Sequence, residues 1–202
     1  MSIEAQLDNE RRMLLITTGV AAAVPAVSTV GALVRTFQPS ERAKAAGAPV
    51  EVDIADLAPG EMKTVEWRGK PVWILKRTPE MLASLKATEA QVADPASERN
   101  KDEMTPEYAR NVHRSIRPDI LVAVGICTHL GCSPTAKLGG GPQPSLPDDW
   151  VGGFLCPCHG STFDLAGRVF RNKPAPDNLP IPRHMYASDT RIVIGKDEQG
   201  EA

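Results

Sequence analysis

The chain has 202 residues, 42% hydrophobic content and a formal net charge of -2, which allows one ordinary domain plus an appendage. This near-neutral charge argues against a polyanionic partner, so we expect no nucleic acid binding. Eighteen Pro and 16 Gly, against three Trp, two Tyr and four Phe, favour short strands and turns over a helical bundle.

The first predicted element is an apolar helix near the N-terminus. Residues 13–34 carry no charge, and at about 1.5 Å per residue such a helix crosses a hydrocarbon core roughly 30 Å thick. A cleaved secretory signal is the alternative, but its apolar region usually runs only about 7–15 residues. We therefore predict a single transmembrane anchor over residues 13–34. Residues 1–12 precede it and end in Arg11-Arg12, which resembles a twin-arginine export signal.

A polar stretch and a short β meander follow the anchor. Residues 35–49 lack apolar periodicity, and we predict a flexible hinge or tether there. Strands are predicted at 50–54, 62–67 and 72–76, with a turn signal at 68–71. Thr78 and Pro79 then predict the cap and first turn of a helix that continues to about Lys86.

The second half of the chain alternates irregular and strand-like segments. Residues 87–118 are polar and irregular, with a short helix predicted at 106–112. An apolar strand predicted at 120–126 leads into Cys127. Glycine and proline at 139–144 predict a flexible loop, and a closing hairpin is predicted from 184–187 and 191–195.

All four cysteines and two of the four histidines lie in two six-residue segments. The first reads Cys127-Thr128-His129-Leu130-Gly131-Cys132, and the second reads Cys156-Pro157-Cys158-His159-Gly160-Ser161. Six such donors exceed the four ligands of a tetrahedral zinc ion. If one Cys and one His from each segment bind metal and the other cysteines pair, two thiolates and two imidazoles remain. That mixed set suits a 2Fe-2S cluster; a zinc site, or two disulfides beside idle histidines, are the alternatives.

Both segments resemble the cluster-binding loops of the Rieske iron-sulfur family, in particular its respiratory branch. The resemblance implies a mostly β fold, with a Rieske-type antiparallel β-sandwich over residues 50–202 and a small cluster-binding subdomain at about 126–182. It also implies one 2Fe-2S cluster and a clamping disulfide. The implied cluster ligands are Cys127, His129, Cys156 and His159, and the implied disulfide joins Cys132 to Cys158.

The resemblance also assigns residues around the cluster. Gly131 and Gly160 suit tight loops in which N–H groups approach cluster sulfurs. Ser161 stands where respiratory members place a hydroxyl donor to a cluster sulfur. Two positions later those members usually have a tyrosine, but this chain has Phe163, which cannot donate a hydrogen bond, so we expect a somewhat lower potential.

A proline-rich segment completes the likeness. Residues 173–180, here called the third loop, include Pro174 and resemble the stiff lid that covers the cluster in the family. His113 and His184 lie outside these motifs, and we assign them no role.

The implied function is electron transfer within a quinol–cytochrome c oxidoreductase complex, expected to be dimeric. His159, the residue assigned to catalysis, would hydrogen-bond ubiquinol at cytochrome b and take up a proton together with the electron. Leu130 would belong to an apolar docking tip, and the domain would then reduce a c-type cytochrome. Alternatives are a Rieske subunit of another periplasmic oxidoreductase such as arsenite oxidase, a zinc-stabilised adaptor, and a soluble ferredoxin.

The expected location follows from the disulfide. Such a bond persists only in an oxidising compartment. We therefore expect a single-pass protein of the bacterial inner membrane, with its N-terminus in the cytoplasm and its Rieske domain in the periplasm.

Overall fold

The computed structural model describes residues 3–201, which fall into two compact units that divide between Ala45 and Ala46. The helices are α1 (Ile3–Thr36), α2 (Glu41–Gly47), α3 (Pro79–Thr88) and α4 (Lys101–Met104), with a 3-10 turn at Glu107–Ala109. The strands are β1 (Val50–Asp53), β2 (Met62–Trp67), β3 (Lys70–Lys76), β4 (Ile120–Val124), β5 (Thr135–Lys137), β6 (Gly153–Leu155), β7 (Thr162–Phe163), β8 (His184–Ser188), β9 (Arg191–Ile194), β10 (Lys196–Asp197) and β11 (Gly200–Glu201).

The predicted anchor lies inside the longer helix α1. Over Leu7–Thr36 this helix is long and apolar enough to cross a membrane, and its most apolar window is not buried within the protein. The helix begins ten residues before the predicted anchor because the preceding residues are mostly Glu, Ala, Gln, Leu and Arg, which are good helix formers. Arg11 and Arg12 lie exposed in this extension.

The predicted tether contains a short helix that the sequence pattern concealed. The N–H of Ala43 donates to the Ser40 hydroxyl at 3.2 Å, so Ser40 caps α2. Lys44 also pairs with Glu41 at 2.7 Å. An alanine-rich sequence favours a helix without any apolar stripe, which explains why periodicity alone indicated no regular structure. The tether role of residues 35–49 stays a prediction.

Two antiparallel sheets enclose the first core of the domain. Their strand orders are β2-β3-β4 and β1-β9-β8. Apolar residues of both sheets and of the connection between β1 and β2 form the layer between the sheets: Val52, Ile54, Leu57, Trp67, Val72, Ile74, Ile120, Val122, Val124, Ile192 and Ile194. Burying one such aliphatic side chain contributes about 1.5–3 kcal/mol, so this layer fixes the β-sandwich.

The central sheet is buried on its other face as well. Because successive side chains of a strand face opposite sides, Val72 and Ile74 enter the first core, whereas Trp73 and Leu75 enter a second one. There the Trp73 ring stacks on Phe154, with centroids 4.8 Å apart. Phe154 belongs to the third sheet, β5-β6-β7. The third sheet therefore packs against the outer face of the β2-β3-β4 sheet.

The predicted fold class is confirmed: the domain is built from antiparallel sheets and follows one long apolar helix. Thr78 caps α3 as predicted, accepting the Met81 N–H at 3.3 Å. The closing hairpin forms from β8 and β9, and β9 also pairs with β1. Strand β3 starts two residues early because Arg68 and Gly69, with φ of 52° and 69°, make a two-residue turn.

Two element predictions need correction. The helix predicted at 106–112 is only the 3-10 turn Glu107–Ala109, since the Asn111 side chain accepts the His113 N–H at 3.0 Å and supports a turn instead. The strand predicted at 120–126 ends at Val124. The Gly125 N–H still donates to the carbonyl of Pro71, the residue opposite it in the register, but proline has no N–H to return the second bond of that pair. Residues 139–144 form a loop, as predicted.

Candidate metal centre

Two loops with the same backbone hydrogen-bond pattern form the site. Loop 1 (residues 127–132) follows β4, and loop 2 (residues 156–161) connects β6 to β7. In both loops the first N–H donates to the sixth carbonyl at 2.8 Å. The fifth N–H donates to the first carbonyl, at 3.1 Å in loop 1 and 3.0 Å in loop 2. Each loop is thereby closed into a compact turn.

The fifth residue of each loop is a glycine for a conformational reason. Gly131 has φ 81° and Gly160 has φ 72°. An L-residue with a side chain rarely adopts this left-handed region. Among the described residues nothing lies within 4 Å of an added Cβ at either position, so the constraint is the backbone angle and not crowding. Both glycines lie exposed on the loops where the resemblance placed them.

A close approach at Gly125 sets the entry to loop 1. A Cβ added there would lie 2.3 Å from Cε2 of Trp73, so only glycine fits over the indole ring. The Gly125 carbonyl accepts the Ser133 hydroxyl at 3.1 Å on the far side of the loop. Loop 1 is therefore tied to the central sheet at its start and closed at its end.

A disulfide joins the two loops. It links Cys132, the last residue of loop 1, to Cys158 in loop 2 across 26 positions of sequence. This is the pair that the resemblance implies. The Sγ atoms of Cys132, Cys156 and Cys158 all lie within 4.8 Å of one another, but two of these sulfurs are bonded to each other and are not thiolate donors. Metal ligands must therefore come from the other cysteines and from the histidines of the two loops.

Two thiols and two imidazoles complete the site. Cys127 and Cys156 are not disulfide-bonded, and both are buried beside the second core. His129 is half-buried and His159 is exposed, and their rings meet edge to face with centroids 4.7 Å apart. The sulfur donors thus lie inside the domain, and the nitrogen donors lie at its surface. The disulfide holds together the two loops that carry them. This donor set fits a 2Fe-2S cluster with unlike ligands on its two irons.

The environment of Cys127 is chemically distinct. Burial raises the pKa of its thiol. The hydrogen bond from the His129 backbone lowers the pKa, and neighbouring Cys156 raises it again. The Ser161 hydroxyl also bonds this thiol and lowers the pKa. A buried thiol with a raised pKa, such as that of Cys127, is costly to ionise without a cation, and a bound metal would replace its proton.

The third loop contacts both cluster loops. The Ala175 N–H donates to the Ser161 hydroxyl oxygen at 3.0 Å, next to exposed Pro174. The Thr128 hydroxyl donates to the Asp177 carbonyl at 2.6 Å. The third loop therefore bridges loops 1 and 2. Thr128 was not singled out from the sequence, although its place between two predicted ligands was a signal.

Leu130 and Phe163 occupy opposite environments. Leu130 is 72% exposed between His129 and Gly131. Phe163 is fully buried in β7 and belongs to the same core as Cys127 and Cys156. Position 163 thus lies in the same buried core as the thiols and carries no hydroxyl group.

Sequence reasoning did not identify the buried charges behind loop 2. Asp164 and Arg168 pair at 2.8 Å and are 1% and 0% exposed in their side chains. The Asp164 carboxylate also accepts the N–H groups of Ala166 and Arg168, at 2.9 and 2.8 Å. The aspartate therefore orders the turn after β7.

The two histidines outside the loops are not part of the site. The His184 ring is buried, and its Nδ1 lies 2.9 Å from the Pro182 carbonyl. Burial lowers the pKa of His184. Burial also lowers the pKa of His113, and nearby Arg77 adds to this. Neither ring contacts His129 or His159 in the described ring pairs.

Comparisons with known proteins give a consistent result. A family model described as the Rieske [2Fe-2S] domain matches residues 49–185. An Allochromatium vinosum protein named ubiquinol-cytochrome c reductase iron-sulfur subunit is 53% identical over 197 residues, which cover 98% of this chain and 93% of that protein. Proteins of the same name match from Bradyrhizobium diazoefficiens, at 39% identity over 92% of this chain and 93% of that one, and from Rhodospirillum rubrum, at 37% over 93% and 92%.

Proposed function

Because this chain belongs to the Rieske 2Fe-2S family, we propose that it is the electron-transfer subunit of a ubiquinol–cytochrome c reductase. One observation carries the proposal. Two buried thiols and two imidazoles lie on the two loops that the disulfide joins, and the ring centroids of the imidazoles are 4.7 Å apart. Relatives with this name match along nearly the whole chain, which favours this function over the arsenite oxidase alternative.

The four unpaired donors would hold the cluster. Cys127 and Cys156 would bind one iron, and His129 and His159 the other. When bound, such a cluster supplies one-electron redox chemistry at a potential that nitrogen ligation raises above that of all-cysteine clusters. The burial of both thiols and the surface position of both rings support this division of ligands.

His159 would carry the proton chemistry. An imidazole that binds metal through one nitrogen keeps the other nitrogen for a hydrogen bond. Because His159 is exposed, that second nitrogen is available to the hydroxyl group of ubiquinol bound at cytochrome b. In its deprotonated form that nitrogen would accept the hydrogen bond of the quinol hydroxyl group, orient the quinol and take up the proton, while the electron would pass from the quinol to the cluster. Exposed Leu130 would provide apolar contact beside it, which excludes water from the transfer.

The N-terminal unit would hold the domain at the lipid bilayer. Helix α1 can span the membrane by its length and composition. A disulfide requires an oxidising compartment, so the Rieske domain would lie in the periplasm and the N-terminus in the cytoplasm of a bacterial inner membrane. Arg11-Arg12 would then serve as a twin-arginine signal, because a domain that receives its cluster in the cytoplasm must be exported folded.

Residues 35–49 would tether the domain while it alternates between two partners. After contact with cytochrome b it would move to a c-type cytochrome subunit of the same complex, which we expect to be dimeric. The polar, alanine- and glycine-containing composition of this stretch supports a spacer.

Co-purification and one substitution together test this function. Solubilised in detergent, the full chain should purify with b- and c-type haem and support quinol-dependent cytochrome c reduction. His159→Gln should abolish that activity and the visible spectrum of the cluster, whereas the matched variant His113→Gln should retain both. A partner without b-type haem, or a His159→Gln complex that keeps full activity, would contradict the proposal.

A further inference from the structure

A segment without any recognisable motif, residues 91–117, lies along the third loop. Backbone hydrogen bonds join the segment to the chain before the third loop and to the chain after it. The Ala93 N–H donates to the Val169 carbonyl at 2.8 Å, ahead of the loop. The Ile181 N–H donates to the Met104 carbonyl at 2.8 Å, just after it. The segment therefore spans the loop from its entry to its exit.

Side-chain hydrogen bonds between the segment and the third loop also hold the middle of that loop. The Asn178 amide donates to the Asp94 carbonyl at 2.9 Å and to the Ser97 hydroxyl at 3.2 Å. The Arg99 guanidinium donates to the Pro176 carbonyl at 3.0 Å. These contacts involve the residues on either side of Asp177, whose carbonyl accepts the Thr128 hydroxyl of loop 1.

Arg114 lies inside the protein and donates hydrogen bonds to the segment, to the third loop and to the turn after β7. It is 0% exposed. Its Nε donates to Ser97 Oγ at 2.8 Å, and its Nη2 donates to Thr105 Oγ1 and the Leu179 carbonyl, both at 2.8 Å. Its Nη1 donates to the carbonyls of Ala166 and Gly167 at 3.1 and 3.3 Å. All five donors are thus satisfied without a carboxylate acceptor.

This geometry fixes three chain segments relative to one another. A guanidinium is planar and rigid, so its donors set both distance and direction. Its burial is tolerated only while these hydrogen bonds are made. The acceptors lie in the 91–117 segment, in the turn after β7, and at Leu179 in the third loop. A change at Arg114 must therefore either move the third loop or leave buried donors unpaired.

We propose that Arg114 is a positioning residue for the metal centre, holding the third loop in place against loops 1 and 2. The path is short: the third loop reaches loop 1 through Asp177 and Thr128, and loop 2 through Ala175 and Ser161. Ser161 in turn bonds Cys127. The claim that the positioned site is a metal centre rests on the proposed function. The claim that Arg114 holds the third loop in place does not.

A matched pair of buried arginines tests this. Arg77 is 3% exposed and bonds the Leu165 carbonyl of the same turn, together with the His113 carbonyl and the Ser115 hydroxyl. None of these acceptors lies in the third loop. We would compare Arg114→Lys with Arg77→Lys in the detergent-solubilised, full-length complex. Readouts are the electron paramagnetic resonance spectrum of the reduced centre and hydrogen exchange of third-loop amides.

The two variants should differ. Arg114→Lys should broaden or shift the resonance lines and speed exchange at the Ala175 and Leu179 amides about tenfold or more, as expected for loss of a charged hydrogen bond. Arg77→Lys should leave both readouts as in the parent, even if it lowers the melting temperature. Unchanged readouts in Arg114→Lys, or equal changes in both variants, would overturn the proposal.

A milder variant covers the case in which Arg114→Lys does not accumulate. Thr105→Val removes one acceptor of Nη2 and should produce the same changes at smaller size; no change would also overturn the proposal. A parent protein without the resonance signal would instead refute the proposed function. Amide exchange would then still decide whether Arg114 places the loop.

Discussion

Removing the Cys132–Cys158 disulfide should lower stability by an amount that follows from its loop length. The bond closes a loop of 26 positions. In the chain-entropy description, a cross-link of that span removes about 12 cal/mol/K from the unfolded chain. This corresponds to about 3.5 kcal/mol at 25 °C. We expect the free energy of unfolding of a double Cys→Ala variant to fall by about this amount.

Denaturant titration of the full-length protein in detergent measures the effect. Trp67, Trp73 and Trp150 are all buried, so their fluorescence reports unfolding of the domain. The midpoint should move to lower denaturant, while the slope should stay constant or increase, because an uncrosslinked unfolded chain is more expanded. A reductant should bring the parent to the stability of the variant and leave the variant unaffected. A loss below about 1 kcal/mol would refute the loop-entropy reasoning.

Three further predictions concern buried groups. Asp164→Asn removes the charge paired with fully buried Arg168 and should cost about 3–5 kcal/mol in denaturant titration, whereas Asp119→Asn, in a partly exposed pair, should cost at most about 1 kcal/mol. Burial lowers the pKa of His184 below its ordinary value of 6.5, so below pH 6.5 the unfolded chain binds a proton that the folded chain does not. The free energy of unfolding should therefore be fully present above pH 6.5 and fall toward acid by up to about 1.4 kcal/mol per pH unit. His184→Phe should flatten this slope. Phe163→Tyr should raise the midpoint potential in a redox titration by donating a hydrogen bond near the thiols, and an unchanged potential would argue against this role of position 163.

The two loops proposed to bind metal were predictable because their chemistry is local. Ligand type and spacing within residues 127–132 and 156–161 indicate a shared site before any fold is known. Thr78 and the Arg68-Gly69 pair gave similarly local signals, a helix cap and a turn. Such features depend on one or two turns of chain, and the structure reproduces them.

The support behind the site was hidden because it depends on contacts distant in sequence. Strands β6 and β7 have three and two residues, too few to show an alternating pattern. Arg114 bonds Leu179 across 65 positions, and no periodicity in residues 91–117 indicates this. Charged residues are almost never fully buried, so the sequence alone favoured an exposed Arg114 and Arg168.

The nitrogen ligation of the cluster is the claim that most directly needs measurement. Pulsed electron paramagnetic resonance of the reduced, full-length protein, grown with ¹⁵N-labelled histidine, reports nitrogens bound to the paramagnetic centre. We expect couplings from two histidine nitrogens that change with the label, and their loss together with the cluster spectrum in His129→Gln and His159→Gln. A spectrum without histidine coupling, or one that persists in both variants, would contradict the ligand set on which the proposed function depends.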